Sequence, residues 1–477
     1  MNNIPVLKAL KKYIDERNAP FSMPGHKSGR GFTCTDEGRL FNEVMLKGDI
    51  TEVEGLDNLH NPQGIIKEAQ ELLAKLYGSR ASYFLVNGST SGNLAMIFSA
   101  FKEGDKVLVE RNCHRSIFNG IIMRKLQPIY IKNYMSKRYN APISIDMGHF
   151  LQTLEENSDI NGVILTYPNY YGITCDLSLV VKKCKERGIK VLVDCAHGAH
   201  FGISPLLPDN PIKLGADMAV MSAHKTLPSL TQTAYLHIGE TMDKSLTDFY
   251  VSMFSSTSPS YTFMASMDYA RYYLETYGRE AFDSLIKTVD DYRDRINQIK
   301  GLHVISQEDI KSEYAQSPVG FDRTRLIINV DKEYNGYALL DYLRLKGVQS
   351  EMSDGFNTVL ISSPFNSKED FERLFMALKD FPMSDYKRKP IEIKVGTIPS
   401  RALLPWQAVE SKSALVDLKD CEGKISGTNI VPYPPGVPII MMGEFIDRDA
   451  ISMVQYYLSN GVTILGIDEE KIRVIEQ

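Results

Sequence analysis

The chain has 477 residues, with 54 Lys or Arg against 59 Asp or Glu and a formal net charge of −5. That length calls for more than one hydrophobic core, and the near-balance of charge excludes a nucleic-acid surface as the organising feature. No apolar run approaches the roughly 18 residues of a bilayer span and no basic-then-apolar leader follows Met1, so the expectation is a cytoplasmic protein with neither membrane nor nucleic-acid partner.

In chain order, residues 1–60 show little periodicity and read as an N-terminal arm that packs on something else. From Gly64 the pattern becomes regular: Ile65, Ala69, Leu72, Leu73 and Leu76 mark one helix face that ends near Gly78. Short apolar runs then alternate with helical patterns. Tyr83–Val86, Val107–Val109, Gly162–Thr166, Lys190–Asp194, Ala219–Met221 and Ala234–Ile238 are strand candidates, and Asn93–Phe101 and Leu177–Lys185 carry helix periodicity. Near-continuous apolar strands separated by helices predict an α/β large unit over residues 61–300, with a mostly parallel sheet covered on both faces. A long helix follows Met264. Strands Arg325–Val330 and Val359–Ser362, with helices near 335–346 and 368–379, predict a small α/β unit over 301–386. Ser384–Pro390 reads as a linker, with Lys387-Arg388-Lys389 as a solvated basic cluster, and 387–477 as a C-terminal α+β unit. The six cysteines (Cys34, Cys113, Cys175, Cys184, Cys195 and Cys421) lack metal-finger spacing and suit a reducing compartment.

The chemistry concentrates at strand ends. Ser222-Ala223-His224-Lys225 closes the apolar run Asp217–Met221 and presents one amine at a sheet edge. Such an amine forms a Schiff base once desolvation or neighbouring cations lower its pKa. Asn87-Gly88-Ser89-Thr90-Ser91-Gly92-Asn93 follows a strand and opens a helix, so free N–H groups and the hydroxyls of Ser89, Thr90 and Ser91 suit a phosphate monoester. The segment lacks both the Walker pattern and the dinucleotide glycine spacing, which disfavours a nucleotide. Asp194 ends its strand at the carboxyl edge, where ligands of open α/β sheets bind. Asp194, His197 and His200 are too few for a zinc site, and no metal is expected. Together the amine, the acid and the phosphate cup match pyridoxal 5′-phosphate: the lysine bonds the aldehyde, and the aspartate keeps the ring nitrogen protonated. Ala196 can lie against one ring face and His114 on the other, with His197 beside them.

Several blocks then resemble one family, the ornithine/lysine/arginine decarboxylases of the aspartate-aminotransferase fold. They are Ser222–Lys225 with Thr231-Gln232-Thr233-Ala234, Met23-Pro24-Gly25-His26-Lys27, Asp49-Ile50-Thr51-Glu52, Leu56-Asp57-Asn58-Leu59, Ser256–Tyr261, and Tyr433–Pro438 with Gly443-Glu444. The likeness spans nearly the whole chain. It implies fold type I, Lys225 as the Schiff-base lysine, Asp194 on the ring nitrogen and His114 stacked on the ring. It further implies phosphate ligands in Ser89, Thr90, Ser91, Ser222 and His224. Thr257, in the Ser256–Ser258 segment, would reach the phosphate of a neighbouring subunit in a homodimer or a dimer-based oligomer.

Pro228 departs from the family pattern, which prefers a small residue there, although Lys225-Thr226-Leu227-Pro228 resembles the short Gram-positive-type members. The chain begins almost directly at the Pro-Gly-His-Lys block, without the receiver-like domain of the long acid-inducible enzymes, which favours a biosynthetic role in polyamine formation. The implied reaction is decarboxylation of a basic L-amino acid, with Lys225 or His224 returning a proton to Cα. Arginine, giving agmatine, is the expected substrate; lysine or ornithine, giving cadaverine or putrescine, are alternatives. Glu444, with Asp447 behind it, is expected to meet the distal cation. A fold-related aminotransferase (using Arg401) or lyase, or a non-catalytic cofactor-binding paralogue, are the competing readings.

Overall fold

The computed structural model describes residues 4–331, 333–387, 397–432 and 436–476. Helix α1 (Ile65–Tyr77) buries Ile66, Ala69, Leu73 and Tyr77 and ends at Gly78, whose φ of +70° closes the helix where a Cβ would be strained. There follow β1 (Ala81–Leu85), α2 (Gly88–Ala100), β2 (Lys106–Glu110), α3 (Arg115–Met123), β3 (Gln127–Ile131) and β4 (Ile160–Thr166). Next come α4 (Leu177–Lys185), β5 (Lys190–Asp194), β6 (Met218–Met221) and β7 (Ala234–Ile238). These strands form one seven-stranded sheet in the order β1-β7-β6-β5-β4-β2-β3. All pairings are parallel except those of β7, which runs antiparallel to both β1 and β6.

The apolar runs alternate sides. On β5, Val191 and Val193 pack into the core layer that holds Leu73 and Phe282, while Leu192 packs into the opposite layer with Ile97 and Ile117. Both faces are covered, which is why these strands read as continuous hydrophobic runs. The parallel strands bring Glu110, Thr166, Asp194 and Met221 to one carboxyl edge.

Helix α5 (Tyr261–Ile296) runs 36 residues and leads to a second, antiparallel sheet built from β8 (Leu302–Val304), β9 (Arg325–Val330), β10 (Met352–Ser353) and β11 (Asn357–Ile361), in the order β8-β9-β11-β10. Helices α6 (Gly336–Leu345) and α7 (Lys368–Lys379) accompany it. Further on, β12 (Ser413–Asp417), α8 (Arg448–Ser459), β13 (Ile467–Asp468) and β14 (Lys471–Ile475) surround a separate core containing Ile430, Ile440, Val454, Tyr457 and Ile472.

The arm differs from its aperiodic reading. It holds a helix, Pro5–Asp15, with no buried residue, and Ala19–Phe21 pairs in parallel with Val348–Ser350 of the small unit. Strand β3 and the hairpin Asn133–Met135/Pro142–Ile145 carry no clear period of their own, because short pieces with internal proline are defined by their neighbours. Arg388, Lys389 and Pro390 of the expected linker, and Tyr433-Pro434-Pro435, lie outside the described residues.

Candidate active site

Asp194 is buried at the end of β5. It accepts from the Ala196 amide at 3.1 Å on one oxygen and from Asn93 Nδ2 at 2.9 Å on the other. Asn93, one turn into α2, also donates to Ser116 Oγ at 2.9 Å, and Ser116 Oγ lies 2.7 Å from His114 Nδ1. The Ser116 amide donates to the same Nδ1, so that nitrogen accepts and the ring proton of neutral His114 sits on Nε2. Desolvation holds His114 below its usual range, opposed by Asp194 and assisted by Lys225. Thus the acid and the histidine at two strand ends are joined through Asn93, which the sequence marked only as the end of the cup motif, and Ser116, which carried no signal there.

The start of α2 forms the cup. Ser89 Oγ lies 2.6 Å from Ser222 Oγ, joining the helix start to the end of β6. Thr90 is exposed, whereas Ser91 turns inward and donates to Gly88 O at 2.8 Å, leaving Ser89, Thr90 and Ser222 as the hydroxyls facing an anion. Gly92 lets α2 press on the sheet: a Cβ there would sit 2.5 Å from Leu85 Cδ1 and 3.0 Å from Val220 Cγ1. His224 Nδ1 donates to Thr233 O at 2.8 Å, and burial draws this imidazole down to about 4, so near neutrality its free Nε2 is an acceptor. The Ser256 amide donates to Asn87 Oδ1 at 2.8 Å, which sets the Ser256–Ser258 segment, with Thr257 exposed, beside the cup of its own chain.

Lys225 lies in the single turn Ala223–Thr226 after β6. Its Nζ is 2.9 Å from His197 Nε2, and His197 Nδ1 is 3.0 Å from Arg325 Nη2 at the start of β9. Burial pulls the lysine down to about 8; Asp194 and Glu351 oppose this, and Arg325 reinforces it. His197 is pushed well below its ordinary value by burial, then by Lys225 and Arg325. Below them, His200 Nε2 contacts Asp322 Oδ1 at 3.2 Å and its ring stacks on Phe282. His200 is therefore committed to packing. Among the described residues, no group of three or more His, Cys, Asp or Glu side chains is placed to hold a metal.

The Met23–Lys27 block braces this turn. The Gly25 amide donates to His224 O at 2.7 Å, and a Cβ on Gly25 would meet Leu227 O at 2.6 Å, so only glycine permits the approach. The fully buried Lys27 amine donates to Ser22 O at 2.6 Å and Ile361 O at 2.8 Å, tying the arm to β11. Glu351 accepts from the Met23 amide at 2.9 Å.

Glu444, expected to meet the substrate's distal cation, is placed on Arg111 instead. The contacts are bidentate, 2.7 and 2.8 Å, with side chains 1% and 7% exposed, and the Met441 amide adds a third bond at 2.7 Å. Asp447 caps α8 by accepting from the Ala450 amide. Arg401 donates to Pro128 O on β3.

Orphaned buried atoms and the donor set test the fit to a cofactor. Asn93 Oδ1, Thr226 Oγ1 and Arg325 Nη1 are buried without a hydrogen-bond partner around this edge. A helix start lined by hydroxyls suits a phosphate dianion, a buried carboxylate suits a protonated ring nitrogen, and a desolvated amine suits an aldehyde. The residues present fit pyridoxal phosphate, and the fold and site define a pyridoxal-phosphate enzyme of fold type I. Residues 4–370 match the Orn/Lys/Arg decarboxylase major domain and residues 394–462 the C-terminal domain of the same family. The chain is 33% identical to the uncharacterized protein YaaO of Bacillus subtilis, covering 97% of this chain and 96% of the other. It is also 33% identical to an arginine decarboxylase of Bacillus subtilis, over 99% and 97%. The Escherichia coli constitutive lysine decarboxylase superposes with a TM-score of 0.77 at 19% identity, covering 99% of this chain and 82% of that one. The chain belongs to the Orn/Lys/Arg decarboxylase family, amino-acid decarboxylases that use pyridoxal phosphate.

Proposed function

We propose that the protein decarboxylates L-arginine to agmatine and CO₂, as a step of polyamine formation in the cytoplasm. The observation that carries the reaction class is the placement of Lys225, Asp194 and the Ser89–Ser222 cup on one sheet edge. The choice of arginine is supported by full-length likeness to chains named arginine decarboxylase. Ser89, Thr90, Ser222 and the free N–H groups of α2 would hold the cofactor's phosphate, Asp194 its ring nitrogen, and Ala196 and His114 its two faces. When bound, it supplies a sink for the electron pair left when the Cα–carboxylate bond breaks.

The chain's own residues do the rest. Asn93 keeps Asp194 oriented by donating to it. His224, with its Nδ1 proton committed to Thr233 O, offers only a lone pair on Nε2 and so has no proton to give to Cα. Lys225, held as the free amine, is then the group that takes the proton shed by the substrate's amine and hands one on to Cα. The arm, the large unit and the small unit act together at this edge, since Gly25 and Arg325 both reach it.

Two copies form the working unit in this reading. Val6, Leu7, Leu10 and Ile14 of the arm helix and Leu40, Leu46 and Val53 beyond it are exposed apolar side chains, a surface that suits a second copy. Among the described residues no helix is long and apolar enough to cross a membrane. The test is incubation of the purified, cofactor-loaded protein with arginine, lysine and ornithine, with the amine and CO₂ identified. Agmatine is expected, and its loss in Lys225→Ala; a keto acid, or turnover retained in that variant, overturns the assignment.

A further inference from the structure

Arg325 is the largest fully buried side chain among the described residues, and the reaction gives it no task. Its Nε lies 3.3 Å from Asp322 Oδ2, its Nη2 lies 3.0 Å from His197 Nδ1, and its Nη1 has no partner. A guanidinium donates five N–H bonds and accepts none. His197 Nδ1 must therefore present its lone pair, which places the ring's single proton on Nε2 and forbids the imidazolium. That N–H faces Lys225 Nζ at 2.9 Å. An ammonium has no lone pair to receive it; a neutral amine has one.

We propose that Arg325 is a positioning residue that fixes His197 as its Nε2–H tautomer and so holds Lys225 as the free amine. The relay crosses from the small unit to the large one, so the reactive form of Lys225 depends on the two being seated together. It deepens the decarboxylase reading and rests on Lys225 being the reacting amine.

The charges around the amine make such a device useful. Asp194 at the end of β5 and Glu351 from the small unit both favour the ammonium, while burial and Arg325 oppose it. His114 and His224 also face His197, and both are neutral near pH 7. Lys27 is the remaining amine in the field of Arg325 and Glu351, and its bonds run to Ser22 O and Ile361 O, away from the relay. A purely structural Arg325, tying β9 to the loop after β5, would affect stability alone and leave the proton's position unchanged.

Two measurements on the full-length protein stripped of cofactor decide this. In wild type, ¹⁵N-histidine spectra, with His197 assigned by its loss in His197→Gln, should show Nδ1 unprotonated and Nε2 protonated. Trace acetylation with acetic anhydride across pH, with the Lys225 peptide quantified by mass spectrometry, should rise through a midpoint near pH 8. In Arg325→Met both the tautomer lock and the cation are lost, so Lys225 should acetylate about tenfold more slowly near pH 7.5, and Arg325→Lys, which still donates to Nδ1, should restore most of the rate. A proton on Nδ1 in wild type, or an Arg325→Met profile that overlays wild type, overturns the proposal. If Arg325→Met does not fold, the wild-type nitrogen spectrum decides alone. Neither readout uses turnover, so a protein that passes both yet makes no amine refutes the decarboxylase reading and leaves the relay standing.

Discussion

Replacing Glu444 by leucine removes the counter-charge of a guanidinium that is almost wholly buried. Arg111 would keep its bonds to Pro438 O at 3.2 Å and Ile439 O at 3.0 Å but lose both carboxylate contacts. Losing one member of a buried pair costs about 3–5 kcal/mol, because the remaining charge is stranded away from water. Glu444 lies in the C-terminal part of the chain and Arg111 directly after β2, so the loss falls on the junction between them. Exchanging both residues for apolar ones removes the stranded charge too, so Arg111→Met/Glu444→Leu should be less damaged than Glu444→Leu alone. Urea unfolding followed by circular dichroism on the four proteins closes the cycle, and a coupling energy above about 2 kcal/mol is expected. An additive cycle would refute the pair's structural role. So would a Glu444→Gln variant of wild-type stability with a raised KM for arginine, because the carboxylate would then serve the substrate's cation as the chain's motifs first suggested.

Asn93→Ala should weaken binding of pyridoxal phosphate by about tenfold, since Asp194 loses one donor and Ser116 another; this is about 1–2 kcal/mol, read by titrating the stripped protein, and unchanged affinity would count against the network. Gly92→Ala forces a methyl onto Leu85 and Val220 and should cost about 1–3 kcal/mol while loosening the phosphate cup, so a melting temperature and cofactor affinity equal to wild type would contradict the packing. Burial draws Lys27 from 10.5 down to about 7, so between those pH values the unfolded chain carries a proton that the folded chain lacks. Stability from this group therefore rises with pH across that window, and Lys27→Met should flatten the rise in melting temperature between about pH 7 and 9.5. Parallel slopes in the two proteins would rule that out.

Lys225, Asp194 and the Ser89 helix start were legible because each is a local event. A continuous apolar run ends, a polar group follows, and the direction of the strand fixes the edge at which it emerges. Their partners are of another kind. His197 meets Arg325 across 128 positions of sequence and Arg111 meets Glu444 across 333, and an arginine at a strand's start or just past its end looks the same whether it is solvated or buried. The Met23–Lys27 block shows the same limit from the other side. Its residues stood out as a motif, yet the demand for glycine at 25 comes from Leu227 O, which the fold alone brings against it. Sequence patterns thus expose groups whose chemistry is complete in themselves, an amine or a carboxylate at an edge. They hide groups whose meaning is set by one other side chain. Glu444 tests that distinction most sharply: as a carboxylate it qualified to read a cation, and in the fold the cation it reads is Arg111.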